Sequence, residues 1–304
     1  MARLQINESD QNSIWETLVG ALQAGHEGTC AWILKHEKVA TWLSEKGDTR
    51  SLWLQGSAGT GKSVIAAHLA RFRSLDNHIV IRHFCNDLYD SSTEYDQILK
   101  SIIRQLLERS DDSTAYAYKA LIIERKPLAV STLETIIQEL VSILSGSPQE
   151  RQLIWIILDG VDVCETASLA RCIALMDLIA MKDRALGTAA CKVLFTSRRE
   201  PHKKQARKRP LVLLDKENSH LRASIQLYAI HRLQSPLISD RLSQLGVGTD
   251  EITDLGHKIA AKADGEMGYM PEWRTRFWAN SIDRNVSVCT TNNRLLIQAA
   301  FPNK

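Results

Sequence analysis

Apolar residues change their spacing along this chain, and the changes divide it into helices and strands. Asn12 to Gln23 places Ile14, Leu18, Ala21 and Leu22 on one helical face. A second helix is predicted from about Cys30 to Ser44, begun by Gly28-Thr29 and carrying Trp32, Ile33, Val39, Trp42 and Leu43. Ser51 to Gln55 is short, apolar and extended in character, as a buried strand should be, whereas Val64 to Ala70 has helical spacing. His78 to Phe84, rich in β-branched residues, reads as a second strand. Glu94 to Arg109 is an amphipathic helix with Ile98, Ile102, Leu106 and Leu107. Another runs from Ser131 to Ser145, where Ser131-x-x-Glu134 suggests a capping box and Gly146-Ser147-Pro148 ends the pattern.

Gln152 to Asp159 is apolar without interruption and finishes in an acid. Continuous rather than alternating hydrophobicity predicts burial on both faces, the mark of a central parallel strand. A helix follows over Ala167 to Met181, then a further buried strand over Lys192 to Ser197. Strands alternating with helices predict a three-layer α/β fold with a central parallel sheet and right-handed crossovers. From about Ser219 the pattern is helical only, over Leu221–Leu233, Ser239–Leu245 and Asp250–Ala263. That shift puts a boundary near residue 215 and leaves a small all-helical C-terminal segment. The tail to Lys304 has no sustained period and is read as poorly ordered.

Between the first strand and its helix lies Gly56-Ser57-Ala58-Gly59-Thr60-Gly61-Lys62-Ser63, a G-x-x-x-x-G-K-S phosphate-binding loop, or Walker A motif. Glycine lets the backbone wrap a phosphate chain at close range. The free N–H groups and the positive end of the following helix then face the anion. Lys62 is expected to reach the β- and γ-phosphates, and the Ser63 hydroxyl to ligate magnesium.

An acid at the tip of a buried strand about a hundred residues downstream supplies what the loop lacks. Asp159 is expected to hold the Mg2+ shell, as a Walker B aspartate. The bland alternative is an acid that only ends a strand. Asp162 could orient or deprotonate the attacking water, or it could be a solvated loop acid. Arg198, at the end of the strand K-V-L-F-T-S, could sense the γ-phosphate because its planar fork pairs with phosphate oxygens. A surface salt bridge is its alternative.

Composition narrows the class without changing it. Apolar residues make up 44% of the 304 and charged residues 24%, which suits a globular protein long enough to bury a core. No apolar run approaches the length needed to span a bilayer, so no membrane partner is expected. Met1 to Glu8 lacks the apolar core of a signal peptide. Six scattered cysteines form no C-x-x-C pair, which argues for reduced thiols and a cytoplasmic location. The net charge of +3 is too small to imply nucleic acid. Arg198 to Pro210 is strongly basic but has no interleaved aromatic for stacking on bases, so it reads as a solvated loop and not as a nucleic-acid site. His83-x-Cys85 reads as strand packing. Trp32, Trp42, Trp53 and Trp155 read as core, the first two with the option of walling a nucleotide base.

Gly56–Ser63, Ile154–Asp162 and Val193–Pro201 together resemble the NACHT class of STAND signalling NTPases, and more closely the nephrocystin-like modules of fungal incompatibility proteins. Gly28-Thr29-Cys30-Ala31-Trp32-Ile33-Leu34 is similar to that family's lead-in, and Ile98–Leu107 to its helix after the second strand. The likeness runs from about residue 28 to 265. It implies a Mg-dependent switch in which bound ATP, or GTP, controls assembly with protein partners or with further copies of the chain. The family usually has Asp-Glu where this chain has Asp162-Val163. Valine cannot accept a proton, so tight binding with weak hydrolysis is expected. Lys262-Ala263-Asp264-Gly265 matches the family, but Glu266 to Pro271 does not. The family's effector and winged-helix domains, with the histidine that locks the diphosphate state, have no counterpart in these residues. The expected organisation is a helical lead over 1–27, a P-loop NTPase domain over 28–215, a helical extension over 216–265 and the tail over 266–304. Lys62, Asp162 and Arg198 are the expected catalytic residues. The competing expectation is a module that binds nucleotide only to stabilise itself and oligomerise. A small-molecule phosphotransferase lacks an acceptor-pocket motif, and a transporter ATPase would carry a Ser-Gly-Gly signature.

Overall fold

The computed structural model describes residues 8–22, 28–45, 47–76, 78–125, 127–145, 153–181, 191–198, 209–244, 248, 250–254, 256–257, 286–291 and 294–299. Five strands make one parallel sheet: β1 (Ser51–Gln55), β2 (Ile79–Phe84), β3 (Ile154–Asp159), β4 (Cys191–Ser197) and β5 (Leu211–Leu213). Their order is β2-β3-β4-β1-β5, so β4 lies between the strand that leads into the phosphate loop and the strand that ends in Asp159. Helix α1 (Glu8–Ala21) precedes α2 (Trp32–Lys35) and α3 (Glu37–Leu43), and α4 (Lys62–Leu75) follows the loop. Then come α5 (Tyr95–Leu107), α6 (Asp111–Tyr118), α7 (Val130–Leu144) and α8 (Thr166–Met181). After the sheet come α9 (Asn218–Leu233) and α10 (Pro236–Gln244).

Every residue of β3 and of β4 is buried, which bears out burial on both faces. Alternate residues sort into two cores. Ile154, Ile156 and Leu158 join Ile81, Val193 and Phe195 against α5, α7 and α8. Trp155 and Ile157 join Leu52, Leu54 and Leu194 against α3 and α4. A continuous apolar strand is thus two interleaved period-two faces, each feeding its own helical layer. This is the α/β P-loop NTPase fold. Among the described residues no helix is long and apolar enough to cross a membrane.

Some local expectations are corrected. The helix expected over Cys30–Ser44 is two helices, α2 and α3, broken at His36, whose backbone is extended with φ −64° and ψ 125°. The Ser131 capping box does not form. Helix α7 begins one residue earlier, at Val130, after an extended Ala129. Glu134 instead accepts from Tyr95 Oη at 2.9 Å and from Arg171 at 3.0 Å, so tertiary partners outcompete the local cap. Three strands escaped the periodicity: the three-residue β5, and the antiparallel pair β6 (Val286–Thr291) and β7 (Arg294–Ala299) in the tail. The rest of the tail, and residues 199–208 of the basic run, lie outside the described residues.

Lys192 has no polar neighbour in its strand, yet it is fully buried. Its ammonium donates to Trp42 O at 2.7 Å and to Ser44 O, and Arg73 donates to Leu43 O. These carbonyls end α3 and have no intrahelical partner, so two buried cations cap the helix. The Trp155 ring lies under both, 4.4 Å from the Arg73 guanidinium carbon and 5.6 Å from Lys192 Nζ. Burial, and after it the charges of Arg50 and Arg73, push the Lys192 pKa from 10.5 down to about 8. Between those two values the unfolded chain holds a proton that the folded chain has released, so stability rises with pH across that window. Urea denaturation from pH 8 to 10.5 should show this rise, and Lys192→Met should flatten it.

Candidate nucleotide-binding site

The phosphate loop opens at the C-terminal end of β1. Gly56 is buried while Ser57, Ala58 and Gly59 are exposed, so the loop presents its rim to solvent. Gly59 and Gly61 have φ of 82° and 79°, a left-handed conformation that glycine adopts without penalty. A Cβ on Gly56 would sit 2.6 Å from Thr60 Oγ1 and 3.0 Å from Leu214 Cβ, so the turn closes too tightly there for a side chain. Gly61 is the N-cap of α4 and provides no side-chain cap. The first N–H groups of α4 are therefore left for an anion.

Lys62 Nζ donates to Gly56 O and Ser57 O, each at 2.7 Å, which folds the side chain back along its own loop. Burial holds its pKa below the usual 10.5, opposed by the nearby charges of Asp159 and Asp162. Ser63 Oγ donates to Asp159 Oδ2 at 2.6 Å. On the other carboxylate oxygen, Thr196 Oγ1 donates to Asp159 Oδ1 at 2.5 Å and itself accepts from Gly160 N at 2.9 Å. Burial raises the Asp159 pKa, and the two hydroxyl donors oppose that.

Beyond Asp159 the chain turns through Gly160 (φ 71°) into a short 3-10 helix, Val161–Val163. Asp162 projects from it and accepts from Arg198 twice, with Arg198 N at 3.1 Å on Oδ1 and Arg198 Nε at 2.8 Å on Oδ2. Arg198 also lies 3.8 Å from Asp87. Asp162 and Arg198 therefore stand as an ion pair with each other, close enough to Lys62 for both charges to act on its ammonium. Val163 packs against the core. Beside the turn, Cys164 Sγ lies 3.5 Å from Cys85 Sγ.

The structure brings together Gly56 to Ser63, Asp159, Asp162 and Arg198. Sequence reasoning missed two members of the group. Thr196, inside the strand that was singled out for Arg198, holds Asp159. Asp215, just after β5, accepts from Ser57 N at 3.0 and 3.2 Å with its two oxygens. A hydroxyl at a strand tip was a usable signal for the first, but nothing local marks the second. The tryptophans divide. Trp42 is fully buried and meets Trp155 edge-on at 4.8 Å, so its ring is not available to a base. Trp32 stacks on His220 at 4.8 Å and donates to Ser224 Oγ at 3.1 Å, tying α2 to α9. His83 is buried with Nε2 on Ser92 O at 2.8 Å, and burial lowers its pKa to about 4, in keeping with strand packing.

The family model described as Nephrocystin 3, N-terminal matches residues 28–198. No curated protein matches the chain in sequence. Solved structures with a similar fold include a DNA replication initiation factor, 13% identical, with a TM-score of 0.35, over 71% of this chain and 52% of that one. The replication initiator DnaA bound to AMPPCP and single-stranded DNA is 12% identical, with a TM-score of 0.36, over 80% and 62%. The ORC2 protein of Aeropyrum pernix is 13% identical, with a TM-score of 0.36, over 79% and 67%. The chain thus spans about half of the first protein and under two thirds of the second, and at these scores the likeness is loose.

Proposed function

Since the chain belongs to the nephrocystin 3 N-terminal family, we propose that it is a nucleotide-operated switch of the NACHT-like kind. It would bind ATP or GTP with Mg2+ on residues 56–63 and hydrolyse it slowly. The observation that carries this reading is the 2.6 Å contact of Ser63 Oγ with Asp159 Oδ2. A hydroxyl and a buried carboxylate meet where the glycine loop becomes a helix. Magnesium takes hard oxygen ligands and keeps most of its waters and phosphate oxygens, so these two groups suffice from the protein. The donor set thus fits a Mg-nucleotide, which would supply the scissile phosphate and a counter-charge for it.

The remaining work falls to the chain. Loop N–H groups and Lys62 would bind the phosphates, with the Lys62 ammonium exchanging its two loop carbonyls for them. Thr196 holds Asp159 in one orientation. Asp162 would position water, but one of its oxygens accepts from the Arg198 backbone N–H and the other from Arg198 Nε, so water must share the carboxylate with that arginine. Val163 offers no second carboxylate. Slow turnover follows from those two facts. The same ion pair favours a second reading, a non-hydrolysing module that nucleotide stabilises for binding partners or for self-association.

Thermal melts with Mg2+ and ATP or GTP, run beside a phosphate-release assay, separate these readings. The switch predicts a rise in melting temperature through binding linkage, with the magnesium-dependent part lost in Asp159→Asn and a slow but measurable release. No release at all favours the second reading. Release at the pace of a competent ATPase, abolished by Asp159→Asn, refutes weak hydrolysis. No thermal shift with either nucleotide refutes both.

A further inference from the structure

Strand β2 is one edge of the sheet, and its outward backbone groups need partners. Two glutamines supply them. Gln105 of α5 accepts from Arg82 N at 3.0 Å and donates to Arg82 O at 2.7 Å. Gln11 of α1 accepts from Phe84 N at 2.9 Å and donates to Phe84 O at 2.9 Å. Each carboxamide stands in for one peptide unit of a missing neighbour strand. Between these clamps α1, β2 and the C-terminal end of α5 line a cavity of about 140 Å³ that opens to solvent.

With the backbone satisfied, what the cavity wall offers is cationic charge. Arg82, Arg104 and Arg109 line it, against the single carboxylate of Glu108. Arg104 is engaged, with Nε on Glu108 at 3.1 Å. Arg109 reaches Val80 O only at 3.4 Å. The Arg82 guanidinium lies 4.0 Å over the Trp15 ring and, among the described residues, has no hydrogen-bond acceptor. A half-buried guanidinium held over an indole face, with its donor fork unpaired among the described residues, is placed to receive an oxyanion. Burial, and then the charge of Arg109, depress the Arg82 pKa, so an arriving anion would relieve a repulsion already present.

We propose that this cavity is a second anion site, separate from the glycine loop, in which Arg82 and Arg109 hold a phosphate group, either free or on a small phosphate monoester. Two guanidinium forks suit a tetrahedral dianion better than a single carboxylate, because each fork can take two oxygens. The volume is well below the roughly 300–1,000 Å³ of pockets that hold drug-sized ligands, so the phosphate group itself is what the cavity fits. None of these residues belongs to the site described above.

The test uses the full chain carrying Lys62→Ala, which disables the glycine loop as a competing phosphate binder. Inorganic phosphate and glycerol phosphate are titrated at constant ionic strength, followed by melting temperature and by phosphorus NMR linewidth. Saturable binding is expected in Lys62→Ala, weakened about tenfold or more by added Arg82→Gln and less by Arg82→Lys, since one lost charge-assisted pair is worth that much. Arg109→Gln, at an exposed position with only a long contact to Val80 O, should weaken binding with little change in the ligand-free melt, and it carries the test if Arg82→Gln fails to fold. Tighter binding of the monoester names a metabolite as the source, and equal or weaker binding names free phosphate. Loss of all phosphate binding in Lys62→Ala alone, or binding indifferent to Arg82→Gln and Arg109→Gln, overturns the proposal. ATP titration of the unaltered chain reports separately on the glycine loop.

Discussion

Lys62→Ala is expected to weaken Mg-nucleotide binding by a factor of about 100 to 1,000. Hydrogen bonds from a charged donor contribute about 1.5–3 kcal/mol each. Losing two of them to a polyphosphate, partly offset by water, leaves roughly 3–4 kcal/mol, and each 1.4 kcal/mol is tenfold. The same substitution frees the carbonyls of Gly56 and Ser57, which the ammonium holds at 2.7 Å. Ser57 is exposed, so water can replace much of that contact, and the ligand-free protein should lose only about 1 kcal/mol. Calorimetric titration of both proteins, with a melt of each alone, separates the two effects. An affinity within a few-fold of the unaltered chain would mean that the loop does not carry the nucleotide.

Gly160→Ala should be the most destabilising of the glycine substitutions around the site. Its φ of 71° already strains an L-residue by about 1–2 kcal/mol. A Cβ there would lie 2.7 Å from Cys85 O and 3.7 Å from the carbonyl carbon behind it. That oxygen cannot swing away as a side chain would, because it shares a peptide plane with Asn86 N, which donates to Ser92 Oγ at 2.8 Å. Strain and clash together cost about 2–4 kcal/mol, or roughly 5–10 °C in melting temperature. Gly61 is the control. Its φ of 79° is as unusual, but nothing lies within 4 Å of its Cβ position, so Gly61→Ala should cost only the strain. Urea denaturation of both variants tests the difference, and equal losses would show that the Cys85 carbonyl yields easily. Gly160→Ala should also disturb the Asp162–Arg198 pair, because Gly160 is where the chain turns from β3 into the 3-10 helix that carries Asp162.

The readings that succeeded rest on signals contained in a few consecutive residues. Continuous hydrophobicity over Gln152–Asp159 predicted burial on both faces, and Lys192–Ser197 read as a further buried strand; the strands that form there, Ile154–Asp159 and Cys191–Ser197, are buried throughout. The failures are instructive for the same reason. Ser131-x-x-Glu134 is a good local cap, but Tyr95 and Arg171 offer Glu134 better partners. Leu211–Leu213 is too short to show a period, and it becomes a strand only because β1 is there to pair with it. Lys192 broke the apolar pattern of its strand, and its reason lies in the carbonyls at the end of α3, far away in the chain.

Residue types and their spacing were enough, without coordinates, to determine that a phosphate loop joins a strand to a helix, that a second buried strand ends in Asp159, and that helices alternate with parallel strands. Each of those depends on local dihedral preference or on the period of burial. What only the tertiary structure decided is which distant side chains meet. Placing β4 between β1 and β3 sets Thr196 on Asp159, 37 residues away, and Arg198 on Asp162, 36 away. It also took the β1–β5 pairing to bring Asp215 to Ser57 across 158 residues, and the packing of α1 and α5 to close two glutamines over the edge of β2. A hydrogen bond or ion pair is decided by a few ångströms between groups, and strand order, not any run of sequence, fixes that separation.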